Sequence, residues 1–171
     1  HGNPYTKEAH ELFQRLQFKN MLSRFDVEPE GNAIEECFRE VSDREEIQHI
    51  FKEARQAERA GVAFSRDPGN VLPLFAHPSG FGRISLAFGP DRIYSIPCTM
   101  ETDMEFLFSE VSELAGSIPC FAVCGLKEYL SYLPKARPET GFDVILAAYL
   151  LNPLKSDYDY EDVAREHLGL M

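Results

Sequence analysis

Carboxylates are the residues of this sequence best suited to chemistry, since Asp and Glu together number 28. A two-metal site needs several of their oxygens to converge, because Mg²⁺ prefers oxygen ligands. The best-placed candidate is Asp67, which closely follows the apolar run at 62–64. A single carboxylate does not make such a site, and an Asp before a Pro-Gly pair is typical of a turn in which it bonds its own backbone. From the residues alone we favour the turn interpretation for Asp67.

A second acidic group consists of Asp157, Asp159, Glu161 and Asp162. Its alternating spacing resembles a calcium loop, but the central Gly and the closing Glu at the twelfth position are missing. Acidic residues in the first turn of a helix stabilise the helix dipole. This second interpretation needs no metal, and we prefer it.

The cysteines and histidines form no recognisable reactive set. Cys120 and Cys124 are spaced C-x-x-x-C with no His at zinc spacing, while Cys37 and Cys98 stand apart. We expect reduced, buried thiols and a reducing cytoplasm as the compartment. The five histidines are scattered, and no phosphate-binding glycine motif occurs. The residues alone therefore indicate a folded domain without an evident active site.

Length and charge limit the function classes further. The 171 residues suit one ordinary domain, and a hydrophobic fraction of 44% can bury a core without disulfides. The net charge of −11 disfavours an independent nucleic-acid-binding module, because an acidic surface repels phosphates. No apolar run of 18 residues occurs and the first residues are polar, so we expect neither a membrane span nor a secretory signal.

Helices are predicted along much of the chain. An amphipathic helix over 6–25 precedes an acidic stretch at 26–36 that is typical of a linker. Capping boxes that begin at Ser42 and Thr102 predict helices over 43–60 and 103–115, each ended by the glycine that follows it. One face of the first of these, which we expect to pack on a core, carries Ile47, Ile50, Phe51 and Ala54. Further helices are predicted over 125–132, 143–151 and 160–168.

A change of hydrophobic period indicates a sheet. The apolar run at 62–64 and the alternating segments 83–88 and 92–96 predict a three-strand meander. The loop at 71–81 is too apolar to be solvated, and the run at 119–123 predicts a strand buried on both faces. We therefore predict an α/β fold with a mixed sheet flanked by helices, in which an antiparallel meander is continued by parallel strands. This order fits a ribonuclease H-like sheet, and other mixed α/β folds share it.

Three separated segments carry a resemblance to a known family. They are ELFQRLQFKNMLSRF at 11–25, RAGVAF…GRISLAFGPDRIYSIPC within 59–98, and FDVILAAYLLNPLKSDYDYEDVAREHLGL at 142–170. In this order they resemble bacterial DNA polymerase I over nearly the whole chain. The first segment is similar to the end of that family's 5′ nuclease domain, and the other two are similar to parts of its 3′–5′ exonuclease domain.

The resemblance implies a degenerate exonuclease site. The family holds two metal ions with four acidic residues, and its first motif, Asp-x-Glu after an apolar strand, is matched here by Ser65 and Asp67. Its second motif, Asn-x-x-aromatic-Asp on a helix, places Tyr129 at the Asp position. Glu128 is one residue away, and a shift of register would make it a partial survivor, although one residue turns a side chain by about 100° around a helix. The third motif, Tyr-x-x-x-Asp, would lie beyond Met171.

The function implied by the resemblance is that of a vestigial, noncatalytic 3′–5′ exonuclease-like structural domain, with no cofactor or metal of its own. The parent chain would perform Mg-dependent, DNA-template-directed DNA synthesis in replication and repair. The alternative is a weakly active two-metal proofreading exonuclease. A third, weaker idea is binding of DNA or protein without cleavage, for which the sequence offers only scattered basic residues.

Domain organisation and partners follow from the same resemblance. Residues 1–26 would be the terminal helix of the 5′ nuclease domain, 27–42 an acidic linker and domain entry, and 43–171 the exonuclease-like domain, truncated before its last motif. We expect the neighbouring 5′ nuclease and polymerase domains as partners, DNA through the parent, and no membrane. We also expect a cytoplasmic location and a monomeric fragment.

Overall fold

A computed structural model of the chain describes Leu12 and residues 38–66, 81–155 and 158–168. The chain divides into two compact units, His1–Glu36 with Met171, and Cys37–Leu170. In the first unit the structure describes Leu12, which is helical and exposed. The rest of the predicted helix over 6–25, the acidic stretch and Asp67 lie outside the described residues.

Six strands form one sheet in the described part of the second unit. They are β1 (Phe38–Glu40), β2 (Arg59–Arg66), β3 (Phe81–Gly89), β4 (Arg92–Pro97), β5 (Cys120–Val123) and β6 (Gly141–Asp143). Their order across the sheet is β1-β4-β3-β2-β5-β6. β2, β3 and β4 form the antiparallel meander, whereas β1 pairs in parallel with β4, β5 with β2, and β6 with β5. The predicted mixed α/β sheet is confirmed.

Five described helices flank this sheet. They are α1 (Arg44–Ala54), α2 (Met104–Ser117), α3 (Leu126–Tyr129), α4 (Val144–Leu151) and α5 (Tyr160–Leu168). The core lies between α1, α2 and one face of the sheet, and it includes the predicted apolar face of α1. Because successive strand residues alternate between faces, every second residue of the strands joins this core: Ala60, Val62, Ile84, Leu86, Phe121 and Val123.

The opposite face of the sheet carries small residues and is half-buried. Gly61 pairs with Ala87 on one side and with Ala122 on the other. These residues line an apolar groove of about 580 Å³, together with Phe88 and Cys120. The prediction that the run at 119–123 is buried on both faces was wrong, since its alternate residues reach this groove.

The helix caps differ from the predicted capping boxes. Asp43, not Ser42, caps α1, and its carboxylate accepts a hydrogen bond from the Glu46 amide at 2.8 Å. In the same way the Asp103 carboxylate accepts one from the Phe106 amide at 2.8 Å, while Thr102 is buried. In both helices the capping carboxylate lies one position after the predicted cap. It accepts a hydrogen bond from the amide three residues further along the chain, which is the usual geometry of an N-cap.

Long-range pairing explains the shifted boundaries of the other elements. The helix predicted over 43–60 ends at Ala54, because the chain from Arg59 pairs with β5. β1 was predicted as part of the linker and domain entry at 27–42, and β6 was missed. The helix predicted over 125–132 is helical only over α3 and continues as turns.

Gly116 lies within α2 and does not end it. A Cβ at this position would come within 2.8 Å of the Lys135 carbonyl oxygen. The glycine is therefore required by the close approach of another backbone segment, not by helix termination.

Candidate functional site

The carboxyl ends of three parallel strands meet at one edge of the sheet. The register places Val62 of β2 beside Val123 of β5, and Val123 beside Asp143 of β6. Ser65 follows on β2, and Cys124 follows β5 directly. In open α/β sheets this edge is where ligand sites form, so we call it the strand-end edge and take it as the candidate site.

Asp143 is the described carboxylate that this edge positions most firmly. Its Oδ1 accepts hydrogen bonds from the amides of Gly125 at 3.1 Å, Ile145 at 3.0 Å and Leu146 at 3.3 Å. Its Oδ2 accepts one from the Leu126 amide at 2.8 Å. The side chain therefore caps α3 and α4 together, and both of its oxygens are used in doing so.

The Cys124 thiol lies beside this carboxylate. Burial, and secondarily the negative charge of Asp143, raise the pKa of Cys124 to about 11. Burial also raises the pKa of Tyr160, with a smaller contribution from the Cys124 thiolate. A thiol that stays protonated at neutral pH is a poor nucleophile, which disfavours covalent chemistry at Cys124.

A cluster of rings lies next to the end of β2. We call it the aromatic cluster, and its members are Phe64, Phe81, Phe108, Tyr129 and Tyr132. The Tyr129 ring stacks on Phe64 with 4.3 Å between centroids, and Phe108 stacks on Tyr132 at 4.6 Å. The predicted loop at 71–81 contributes its last residue, Phe81, while its other residues lie outside the described part.

Of the positions implied by the family motifs, the structure describes Ser65, Glu128 and Tyr129. Phe64 lies on the core side of β2, so Ser65 lies on the opposite face by strand alternation, where it is exposed. Tyr129 packs with Phe64 on the core side, and Glu128 is exposed one position earlier on α3. Ser65 and Tyr129 thus lie on opposite faces of β2, and Asp67 lies outside the described residues.

Within the described ranges, no group of three His, Cys, Asp or Glu side chains could hold a metal ion. Of the predicted acidic cluster, Asp159 caps α5 by accepting from the Asp162 amide at 2.7 Å. Glu161 and Asp162 lie in the first turn of that helix, as predicted. Asp157 lies outside the described residues. Cys98, Cys120 and Cys124 are free, as predicted, but half-buried instead of buried.

The sequence reasoning missed two features of this edge. It treated Asp143 as the start of one helix, although an Asp ahead of a fully apolar segment is a strong cap signal. It also treated Phe64 and Phe81 separately from Tyr129. The spacing of these residues along the chain gives no signal of their contact, since it depends on the crossover between strands.

Comparisons with known proteins give matches in structure and none in sequence. No family model matches the chain, and no curated protein does either. The EXO domain of Aedes aegypti Nibbler is 11% identical with a TM-score of 0.51, over 80% of this chain and 70% of that one. The catalytic core of RRP6 from Trypanosoma brucei is 13% identical with a TM-score of 0.54, over 78% of this chain and 35% of that one.

RNase D from Escherichia coli, an exoribonuclease involved in structured RNA processing, gives a TM-score of 0.53 at 13% identity over 78% of this chain. The chain spans about a third of the RRP6 and RNase D chains. The chain has an exonuclease-like fold. At this level of identity the likeness establishes the fold alone. In the described part of the chain, no helix is long and apolar enough to cross a membrane.

Proposed function

We propose that this chain is a noncatalytic 3′–5′ exonuclease-like domain of a bacterial DNA polymerase I. Two independent lines support the proposal: the ordered sequence resemblance and the exonuclease-like fold. In this role the domain separates the 5′ nuclease from the polymerase module and offers both a surface for packing. The Mg-dependent synthesis of DNA in the cytoplasm belongs to the parent chain.

The proposal that the domain is noncatalytic rests on the position of the Tyr129 ring. The resemblance assigns this position to a metal-binding Asp. Here an aromatic ring stacks on Phe64 and extends the apolar cluster beside the end of β2. Aromatic carbon offers no ligand to Mg²⁺, which needs several oxygens in octahedral geometry.

Two further described residues at the strand-end edge, Ser65 and Asp143, do not fit a two-metal site either. Ser65 carries a neutral hydroxyl on the other face of β2, and Asp143 already accepts four amide hydrogen bonds. Among the described residues of this edge, none would hold a metal ion that lowers the pKa of an attacking water or neutralises charge on phosphate. We therefore derive no catalytic step for this edge.

The alternative function, a weakly active exonuclease, is favoured by Glu128. Its side chain is exposed on α3 and can reach solvent beside the edge. Together with Asp67 it would provide two carboxylates.

The experiment uses the polymerase chain that contains this segment. A primer–template with a 5′-labelled primer, and separately a 5′-labelled RNA strand, are incubated with Mg²⁺ or Mn²⁺ and without nucleotides. We expect no 3′ shortening above a heat-killed control. Metal-dependent shortening that Asp67→Ala or Glu128→Ala abolishes would establish the alternative, with Glu139→Ala, on an exposed turn, as the matched acidic control.

A further inference from the structure

A short segment begins at the strand-end edge and carries two rings of the aromatic cluster. We call it the strap, and it comprises residues 125–133 with α3 inside it. The Tyr129 ring stacks on Phe64 of β2, and the Tyr132 ring stacks on Phe108 of α2. Without the strap, the cluster would lose two of its five rings.

Several backbone hydrogen bonds of the strap are made within it. The Glu128 amide donates to the Gly125 carbonyl oxygen at 2.9 Å. The Leu133 amide donates to the Tyr129 carbonyl oxygen at 3.1 Å. A helix of four residues is marginal by itself, because ordering the first turn costs more free energy than its few bonds return. The strap therefore depends on contacts with other elements to stay in place.

The corner between β6 and α4 supplies such contacts. The Asp143 carboxylate accepts hydrogen bonds from the Gly125 and Leu126 amides of the strap at 3.1 and 2.8 Å. The same carboxylate accepts one from the Ile145 amide in the first turn of α4 at 3.0 Å. Gly141 of β6 lies so close that a Cβ there would come within 2.8 Å of the Leu126 Cδ2 atom. One side chain thus ties the strap to a helix that follows it in the chain.

That helix, α4, is itself weakly held. Of its eight residues only Ala148 is buried, while Leu150 and Leu151 are exposed by 71% and 74%. Segments with few buried apolar contacts open at a small cost in free energy. We therefore expect α4 to open well before the core does.

We propose that the strap and α4 open together as one cooperative unit, with Asp143 as the latch between them. Local opening in proteins proceeds by such units. When the first turn of α4 opens, Asp143 is carried away, and the strap loses the hydrogen bonds that this carboxylate accepts. Tyr129 and Tyr132 then leave the aromatic cluster together with the strap. The coupling does not depend on the polymerase proposal.

The test is amide hydrogen exchange of the chain, followed by NMR. Ala148→Gly lowers the helix propensity of α4 and should speed exchange at Asn152, whose amide donates to the carbonyl oxygen of residue 148 at 3.0 Å. We expect the rate at Glu128 in the strap to rise as well, by at least about threefold. In a chain that also carries Asp143→Ala, the same change should speed exchange at Asn152 but not at Glu128.

Two further variants separate the latch from a general loss of stability. Asp159→Ala removes the cap of α5 and should leave the exchange rate at Glu128 unchanged. Asp143→Asn keeps an oxygen that accepts hydrogen bonds, so the coupling should persist. Circular dichroism verifies that each variant folds, and Leu150→Gly, at an exposed position of α4, repeats the test if Ala148→Gly does not.

Two results would overturn the proposal. If the glycine variant speeds exchange at Asn152 and leaves Glu128 unchanged, the strap and α4 open independently. If it speeds exchange at both amides with and without the Asp143 carboxylate, a different contact couples the two segments.

Discussion

Two regions of the molecule differ in their side chains: the core beneath α1 and α2, and the strand-end edge. The core is filled by aliphatic and aromatic side chains with almost no exposure, such as Ile47, Phe51 and Leu107. The edge combines a carboxylate, a thiol and a ring cluster, and of these side chains only Phe108 is buried. The core stabilises the fold by burying apolar side chains, whereas Asp143 at the edge accepts hydrogen bonds from backbone amides. The difference shows that a carboxylate at this edge, Asp143, has a structural role as the cap of two helices.

The largest effect is expected in the core. Phe51→Ala removes a fully buried ring and should lower the free energy of unfolding by about 3–5 kcal/mol, since apolar transfer and a cavity both contribute. Urea unfolding measures the loss. The matched variant is Phe38→Ala on β1, where the ring is 50% exposed and the loss should stay below about 1.5 kcal/mol. Equal losses would contradict the assignment of Phe51 to the core.

The Cys124 thiol tests the edge through its reactivity. With a pKa of about 11 instead of the ordinary 9.0, its thiolate fraction at pH 8 falls about a hundredfold, and alkylation should slow in proportion. Iodoacetamide labelling followed by mass spectrometry compares Cys124 in the native chain and in urea. A native rate within a few-fold of the unfolded one would refute the buried environment.

The same shift has a consequence for stability. A raised pKa means that the folded state holds the proton more tightly than the unfolded state. The contribution of the protonated Cys124 thiol to the free energy of unfolding is therefore complete below about pH 9, and it is lost as the pH rises through about 11.

Asp143 comes next, because one side chain caps two helices. Asp143→Ala should cost about 2 kcal/mol, at about 1 kcal/mol per cap, and Asp143→Asn should cost less because its amide oxygen still accepts. Asp159→Ala is the natural comparison, since that carboxylate caps α5 alone. If thermal or urea unfolding gave both alanine variants the same loss, the double cap would not operate.

Whether a feature of this structure could be predicted from the sequence depends on how far apart along the chain the interacting residues lie. The core face of α1 and the meander follow from local periodicity, and both were predicted. β1 and β6 have three residues each and are strands only because β4 and β5 pair with them. The amides that Asp143 binds at Gly125 and Leu126 lie 18 and 17 positions away, and the Phe64 ring of β2 stacks on Tyr129 of α3. Such contacts leave no periodic signal, which is why the sequence predicted neither the double cap nor the aromatic cluster.

The smallest effect is expected outside both regions, at the pair of Glu113 and Lys135. The hydrogen bond from Lys135 lowers the pKa of Glu113 below its ordinary 4.5, so the pair stabilises the fold above that pH. The contribution is lost as the pH falls through the lowered value. Both side chains are exposed, and exposed pairs contribute little because water and salt screen them.

Glu113→Gln should therefore leave the urea midpoint at pH 7 nearly unchanged, and 0.5 M NaCl should remove what difference there is. Asp143→Ala provides the contrast, because its caps are amide hydrogen bonds within the fold and its loss should persist in salt. A salt-resistant loss in Glu113→Gln as large as that of Asp143→Ala would mean that surface charge, and not the capped strand-end edge, ranks second to the core.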